Sequence, residues 1–394
     1  MRNDPELIAL LLEAHDIETT HLPELLVSMR TGGKSNGSWS EHLLDDHEVL
    51  RALRTHRLQP DPPIPAATHI NLCRRMLVTG ASGFVGRSVV RSAAEKGLEV
   101  RAATRRAISD RPDGVDAVGG LELEPDTNWA AALKGISDVV HCAARVHVMR
   151  DLAANPLAEF RRVNTAACLE LASQAAAAGV QRFVFISTIF VNGIETHGIA
   201  FRADDRVAPS SPYAVSKHEA EEGLRQIAAS TGMEVVIVRP PLVYGPGVKG
   251  NFERLMQAVH RGIPLPLGAV TNQRSLVALD NLVNLILTCV YHPAAANQTF
   301  LVSDGEDLST SELLRRTAQA LGRTIRLLPL PTGAMRAVAK ALGRGDLAQR
   351  LLGSQQVDIS KTRSLLGWNP VVSVEEGLRP TAAHFLSDSK KTRS

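Results

Sequence analysis

The sequence predicts an α/β fold: a doubly wound parallel sheet, followed by a smaller mixed C-terminal lobe and preceded by a helical N-terminal extension. Three observations carry that expectation. From about residue 74, short β-branched runs alternate with alanine-rich helical stretches, the rhythm of strand, crossover helix, strand that buries a parallel sheet on both faces. The first run, "MLVTG", leads into glycines Gly80, Gly83 and Gly86 directly before a helical stretch. A proline-dense stretch, "QPDPPIPAATH", separates this pattern from what precedes it.

Taken in order, residues 1–58 read as a charged helical extension. Four prolines lie between Pro60 and Pro65; they end any helix and stiffen an extended chain, so 59–72 is expected to be a linker. Over 73–240, "MLVTG", "EVRAAT", "DVVHCAA", "RFVFIST" and "EVVIVRPP" read as buried strands. "RSVVRSAAEKG", "LAEFRRVNTAACLELASQAAAAG" and "YAVSKHEAEEGLRQIAASTG" read as the helices between them. Over 241–385 strands thin out, and "NFERLMQAVHRG", "LDNLVNLILTCVYH" and "STSELLRRTAQALG" are amphipathic helices of a second lobe. Residues 386–394, ending in "KKTRS", are expected to be a disordered basic tail.

Composition excludes several classes of function. There are 44 basic and 41 acidic residues, a net charge of +3 without a long basic block, so nucleic acid is not implied as a partner. The four cysteines, Cys73, Cys142, Cys168 and Cys289, are far apart, and no Cys/His cluster has metal-ligand spacing. No metal is expected, and buried free thiols suit a reducing compartment. The N-terminus has acids inside its apolar run and no small-residue cleavage site, and no apolar stretch is long enough to span a bilayer. A cytoplasmic location is the expectation.

The glycine turn implies a dinucleotide. Gly80 allows a sharp turn, Gly83 lets a pyrophosphate approach the backbone, and Gly86 lets the helix pack closely on the strand. The helix N-terminus then offers free N–H groups and a partial positive charge. The domain is therefore expected to be Rossmann-type. At the end of the second strand, where a carboxylate would meet the ribose of NAD, the chain has Thr104 followed by Arg105 and Arg106. Arginine suits the 2′-phosphate of NADP; NAD and NADP both remain open, with NADP slightly favoured by Arg105.

The stretch "SSPYAVSK" places Tyr213 and Lys217 four residues apart. On a helix they share a face. An ammonium beside a phenol favours phenolate, so Lys217 is expected to pull the Tyr213 pKa down toward neutrality, where the phenol can trade a proton. "FVFIST" ends a strand in Ser187 and Thr188. Ligands of doubly wound sheets bind at the carboxyl ends of the strands, which puts Thr188, Tyr213 and Lys217 at one edge.

In this order, "TGASGFVG", "HCAA", "FISTIFVNG", "SPYAVSK" and "RPPLVYGPG" resemble the extended short-chain dehydrogenase/reductase superfamily, and within it the sugar-nucleotide epimerase/dehydratase group. The resemblance runs from about 74 to 380. It implies that Tyr213 moves the proton of a sugar hydroxyl, that Lys217 tunes it and bonds the nicotinamide ribose, and that Thr188 bonds the sugar oxygen. It places Phe84, Val85, Ala143, Asn164 and Pro240 with the glycines and Thr104 at the cofactor, and Asn251 and Arg274 at the nucleotide and its diphosphate. The chain departs from the UDP-galactose epimerase pattern with Asn192 in "VNG", Leu242 in "RPPL" and no acid at the second strand.

The implied function is an NAD(P)-dependent nucleotide-sugar 4-epimerase, similar to those acting on UDP-glucose or UDP-GlcNAc, in surface-polysaccharide biosynthesis. An alternative is an NADPH-dependent 4-ketoreductase of a UDP-4-keto-6-deoxy-hexosamine. A remote one is a non-catalytic NAD(P)-sensing regulator, which typically loses the tyrosine or lysine this chain keeps. A nucleotide-diphosphate sugar is the expected small-molecule partner. A homodimer is expected through a four-helix interface that includes "HEAEEGLRQIAA". Residues 1–58, with "HLPELLVSMRTGGKSNGSWSEHLLDDHEVLRALRTHRL", resemble the C-terminal tail of family 2 glycosyltransferases without the catalytic part.

Overall fold

Seven apolar runs pair side by side, all parallel, into one sheet. This computed structural model describes residues 74–106, 111–146, 155–343 and 345–391. The expected N-terminal extension and proline linker lie outside the described residues, as does the glycosyltransferase-like stretch.

The strands are β1 (Arg75–Thr79), β2 (Glu99–Ala103), β3 (Asp116–Val118), β4 (Asp138–His141), β5 (Arg182–Ile186), β6 (Glu234–Arg239) and β9 (Thr299–Leu301), in the order β3-β2-β1-β4-β5-β6-β9. Side chains alternate between the two faces, as a strand period of two requires. Met76 and Val78 of β1, Val184 of β5, and Val236 and Val238 of β6 enter one core. Leu77, Phe183, Phe185, Val235 and Ile237 enter the other.

Helices cover both faces. Helix α1 (Phe84–Glu95) packs Val89, Val90 and Ala93 into the first core. Short α2 (Ala130–Leu133), α4 (Ala167–Ala177) and α5 (Pro212–Thr231) cover the second. Strand order reverses between β1 and β4, which opens a crevice at the carboxyl edge. The architecture is the expected Rossmann-type sheet.

The second lobe is built on a mixed three-stranded sheet. In it β7 (Leu242–Tyr244) runs parallel to β8 (Arg274–Ala278), and β10 (Asp307–Leu308) pairs antiparallel to β8. Around it pack α6 (Asn251–His260), α8 (Thr310–Ala320), α10 (Gly345–Leu352) and α12 (Val374–Lys391).

Two boundaries differ from those read in the sequence. The chain after residue 240 does not stay in the second lobe. Helix α7 (Leu279–Tyr291) packs on the first core, and β9 closes the main sheet beside β6. Strand β9 is only "TFL", and β3 is only "DAV"; three residues carry too little pattern to announce a strand. The tail expected to be disordered from 386 instead continues helix α12 through Lys391, with Phe385 and Leu386 packed against the lobe and His384 four residues from Asp388.

Asn281, fully buried near the start of α7, joins the elements around it. Its amide donates to Asp304 Oδ1 (2.7 Å) and to the Val372 carbonyl (2.8 Å). Its oxygen accepts from the Val371 and Val372 backbone N–H groups (2.7 and 2.9 Å). Asp304 also accepts from the Tyr244 hydroxyl and the Ala278 N–H. Asn281→Ala orphans buried partners on two segments, so chemical denaturation is expected to show a loss of about 2–4 kcal/mol of stability. A loss under about 0.5 kcal/mol would mean that Asn281 does not join them.

Candidate functional site

The glycine turn lies at the crevice between β1 and β4. Gly80 has φ +64°, and a Cβ there would stand 2.7 Å from the Ala143 nitrogen. A Cβ on Gly86 would stand 2.3 Å from the Gly80 carbonyl oxygen. Both positions therefore admit only hydrogen, one for its conformation and one for the contact between turn and helix. The third glycine, Gly83, takes the N-cap place of α1, with no side chain capping the helix and no acid in its first turn. The N–H groups of Phe84, Val85 and Gly86 thus begin the helix without a side-chain cap or a competing acid, which suits a pyrophosphate. At the end of β2, Thr104 is buried and its hydroxyl donates to the Arg106 carbonyl (2.6 Å), while Arg105 is exposed.

The Tyr–Lys pair begins α5. Ser211 caps the helix by accepting from the Ala214 N–H (3.2 Å), and Pro212 fills its first position, so Tyr213 and Lys217 fall in the first and second turns. A π-helical segment, Arg161–Ala166, joins α3 (Pro156–Phe160) to α4 and faces that first turn. From it, Asn164 donates to Ser216 Oγ (3.1 Å) and to the Arg145 carbonyl (3.0 Å), and accepts from the Arg145 N–H (2.8 Å). Thr165 donates to the Ser216 carbonyl (2.8 Å). Asn164 is buried, and both of its amide hydrogens serve protein acceptors; it ties the loop after β4 to the start of α5.

Lys217 is 2% exposed, and its Nζ lies 4.1 Å from the Phe185 ring centroid. Burial pulls the ammonium down to about 8, against the opposing pull of Cys168, Glu221 and Cys142. Tyr213 does not follow the expectation: burial pushes its phenol up to about 12. The ammonium is aimed over Phe185 in the interior, and desolvation governs the phenol. Beside them His141, stacked on Phe185, is held neutral down to about 3 by burial and by Lys217, and its Nδ1 meets Thr79 Oγ1 at 2.9 Å.

One helical turn beyond Lys217, Glu221 is fully buried and paired with Arg239, which is 2% exposed. The guanidinium donates through Nε to Oε1 (2.9 Å) and through Nη2 to Oε2 (2.5 Å). Ser187, next to Thr188, donates to Oε1 (2.6 Å). Arg239 Nη1 donates to Asn192 Oδ1 (3.0 Å), and Asn192 donates to the Arg202 carbonyl (2.8 Å). The departure at Asn192 thus belongs to a buried framework. This network was missed in the sequence. Its signal was an arginine ending the apolar run "EVVIVR" and an acid one turn after Lys217.

Thr188 is buried at the end of β5, where its hydroxyl accepts weakly from the Phe190 N–H (3.4 Å). Pro240 is buried beside it and takes the Ile189 N–H on its carbonyl. Ala143 stands at the Gly80 turn, with its N–H on Thr79 Oγ1 (3.4 Å). Asn251 and Arg274 belong instead to the second lobe. Asn251 is the exposed first residue of α6. Arg274, first in β8, spends Nη1 on the carbonyls of Arg350 (2.9 Å) and Gly353 (3.2 Å).

Two substitutions test this arrangement. Glu221→Gln strands the Arg239 charge in the interior and should cost about 3–5 kcal/mol of stability; Glu221→Met with Arg239→Met should cost clearly less. Equal losses would show that the pair acts only by packing. Lys217→Met removes a buried ammonium. Below pH 8 Lys217 is charged whether folded or unfolded, and the burial penalty is fully present. Between about 8 and 10.5 only the unfolded chain stays protonated, so the stability of the wild type rises with pH relative to the variant. The difference approaches about 3 kcal/mol at 1.36 kcal/mol per pH unit. Melting temperatures that fall together from pH 7 to 10 would contradict it.

Residues 76–303, more than half the chain, match the family described as NAD dependent epimerase/dehydratase. The chain is 47% identical over 321 residues to a UDP-glucose 4-epimerase of Vibrio cholerae, covering 81% of this chain and 97% of that one. A solved structure described as MoeE5 in complex with UDP-glucose and NAD superposes with a TM-score of 0.64 at 26% identity, covering 81% of this chain and 100% of that one. A UDP-glucuronic acid 4-epimerase of Bacillus cereus in complex with NAD shares the fold, with a TM-score of 0.65 at 19% identity, covering 79% and 99%. The chain belongs to the NAD-dependent epimerase/dehydratase family.

Proposed function

We propose that the protein is an NAD(P)-dependent nucleotide-sugar 4-epimerase acting on a UDP-hexose of the UDP-glucose or UDP-GlcNAc type. The observation that carries this is the Tyr213–Lys217 pair, mounted by α5 at the carboxyl edge of a sheet whose uncapped glycine turn suits a dinucleotide. The Vibrio cholerae relative supports the substrate class.

The dinucleotide, held by Gly80, Gly83, Phe84, Val85, Gly86 and Ala143, supplies a hydride acceptor and, when oxidised, a positive charge. Tyr213 takes the proton of the 4-hydroxyl and later returns it. At rest, burial keeps the phenol protonated, the form that donates to a 4-keto oxygen; an added positive charge favours the other form. Lys217, titrating near 8, keeps its charge at neutral pH and orients the ribose hydroxyls. Thr188 bonds the reacting sugar oxygen, and Asn251 and Arg274 hold the nucleotide diphosphate from the second lobe. If the 4-keto sugar turns over before hydride returns, the product is the 4-epimer.

Exposed Arg105 at the end of β2 favours a second reading. A 2′-phosphate there fits NADPH, and a site that consumes NADPH each turn is a 4-ketoreductase. In either case we take the protein as a cytoplasmic homodimer of surface-polysaccharide biosynthesis. The dimer would meet through α4 and α5, which already pack so closely that a Cβ on Gly223 would stand 2.5 Å from Leu169.

Tyr213→Phe should retain dinucleotide binding and lose turnover by about 10³-fold or more; activity within tenfold of wild type would remove Tyr213 from the mechanism. Arg105→Ala should weaken NADPH binding about tenfold to a hundredfold, through one lost charge-assisted bond, and leave NADH unchanged. Equal binding of both by the wild type, unmoved in the variant, would count against the reductase.

A further inference from the structure

The chain that leaves β5 past Thr188 comes to lie alongside residues 353–357 of the second lobe. The Thr196 N–H donates to the Ser354 carbonyl (2.8 Å), Gln355 Nε2 to the Ile194 carbonyl (3.1 Å), and the Phe201 N–H to the Gln356 carbonyl (2.9 Å). These bonds fix the backbone around Glu195, whose side chain is 18% exposed. A Cβ on Gly353 would stand 3.0 Å from Glu195 Oε1. The carbonyl of the same Gly353 accepts from Arg274 Nη1 (3.2 Å). The acid from the first lobe and the arginine from the second thus meet at one residue.

The Glu195 carboxylate is shared, and held loosely. Gln349 of α10 donates to Oε2 at 3.3 Å, and Arg336, on helix α9 (Thr332–Ala341), keeps Nη2 3.5 Å from Oε1. Arg336 is half-exposed, and its bond to the Leu352 carbonyl is also 3.5 Å long. A guanidinium and an oxyanion close to about 2.7–2.9 Å where the geometry permits, so neither group is fully used here. Among the described residues, Arg274 spends only Nη1 on protein acceptors, which leaves Nε and Nη2 to a ligand. Burial lowers the Arg274 pKa and Glu195 opposes that shift. One carboxylate therefore acts on two arginines.

A diphosphate bound at Arg274 comes within reach of that same carboxylate. Two anions in a half-buried site repel each other, and each loses hydration there. One of them must yield, and a side chain held by contacts of 3.3 and 3.5 Å yields first. We infer that Glu195 is a competing anion at the substrate site: the diphosphate of the sugar nucleotide displaces its carboxylate and takes over the Arg336 guanidinium, beside Arg274. The inference rests on the reading, under the proposed function, that Arg274 holds the diphosphate. Its consequence is a lowered affinity for any nucleotide that carries a diphosphate. Substrate and 4-epimer carry the same one, so the carboxylate weakens both alike and shortens the time that product occupies the site.

The test is titration calorimetry of the full-length protein with UDP and with uridine, which has no phosphate. Glu195→Gln keeps the shape of the side chain and an acceptor for Gln349 but removes the charge. It should bind UDP about tenfold more tightly than the wild type and uridine equally well. Arg336→Gln should bind UDP about tenfold more weakly, again with uridine unchanged. Melting curves of both variants separate lost binding from lost fold. A UDP affinity that Glu195→Gln leaves unchanged or lowers would overturn the proposal, and so would an Arg336→Gln variant that binds UDP like the wild type; the sugar-nucleotide reading would stand in both cases. A wild type that binds neither UDP nor uridine would overturn that reading and this inference with it.

Discussion

The buried pair between Glu221 and Arg239 sets the position on which the rest of the site depends. A fully buried carboxylate and guanidinium tolerate little displacement, because each is stabilised in the interior only by the other and by the few groups that bond them. Here the carboxylate belongs to the helix that carries Tyr213 and Lys217, and the guanidinium ends the strand beside it. Ser187 adds the end of β5 to the same carboxylate. Helix α5 is thereby fixed in height against the edges of two strands, one turn from the lysine. Asn164 and Thr165 fix the first turn of that helix from the other side.

Burial then decides the proton chemistry within this frame. The same desolvation acts in opposite directions on the two partners, raising the phenol and lowering the ammonium, because each resists the form that carries charge. The ammonium stands over an aromatic ring, and neutral His141 below avoids a second cation. The resting site is thus a neutral acid beside a lysine that stays charged at neutral pH but loses its proton more readily than a solvated one. A site of this kind gives up stability for reactivity.

Much of this was legible in the sequence, for definite reasons. Five of the seven main strands and the glycine turn announce themselves because a doubly buried parallel strand must be continuously apolar, and because a turn over a pyrophosphate must lack side chains. The pairing of Tyr213 with Lys217 follows from helical spacing alone. What escaped depends on contacts between distant residues. Strands β3 and β9 take their identity from their neighbours. The Glu221–Arg239 pair spans separate elements, and either residue alone reads as a surface charge. The direction of the Tyr213 shift was misjudged because spacing places two groups on one face but does not say where the longer side chain points. Asn192, read only as a departure from the family pattern, bonds Arg239.

A nucleotide-sugar 4-epimerase removes a hydride from C4 of the sugar and returns it to the same carbon within one site. The most direct measurement is conversion of UDP-glucose deuterated at C4, followed by NMR of the product. The expected product is UDP-galactose that keeps the deuterium at C4, formed without net consumption of any dinucleotide. Loss of the label to solvent, or conversion that requires one NADPH per product, would contradict it.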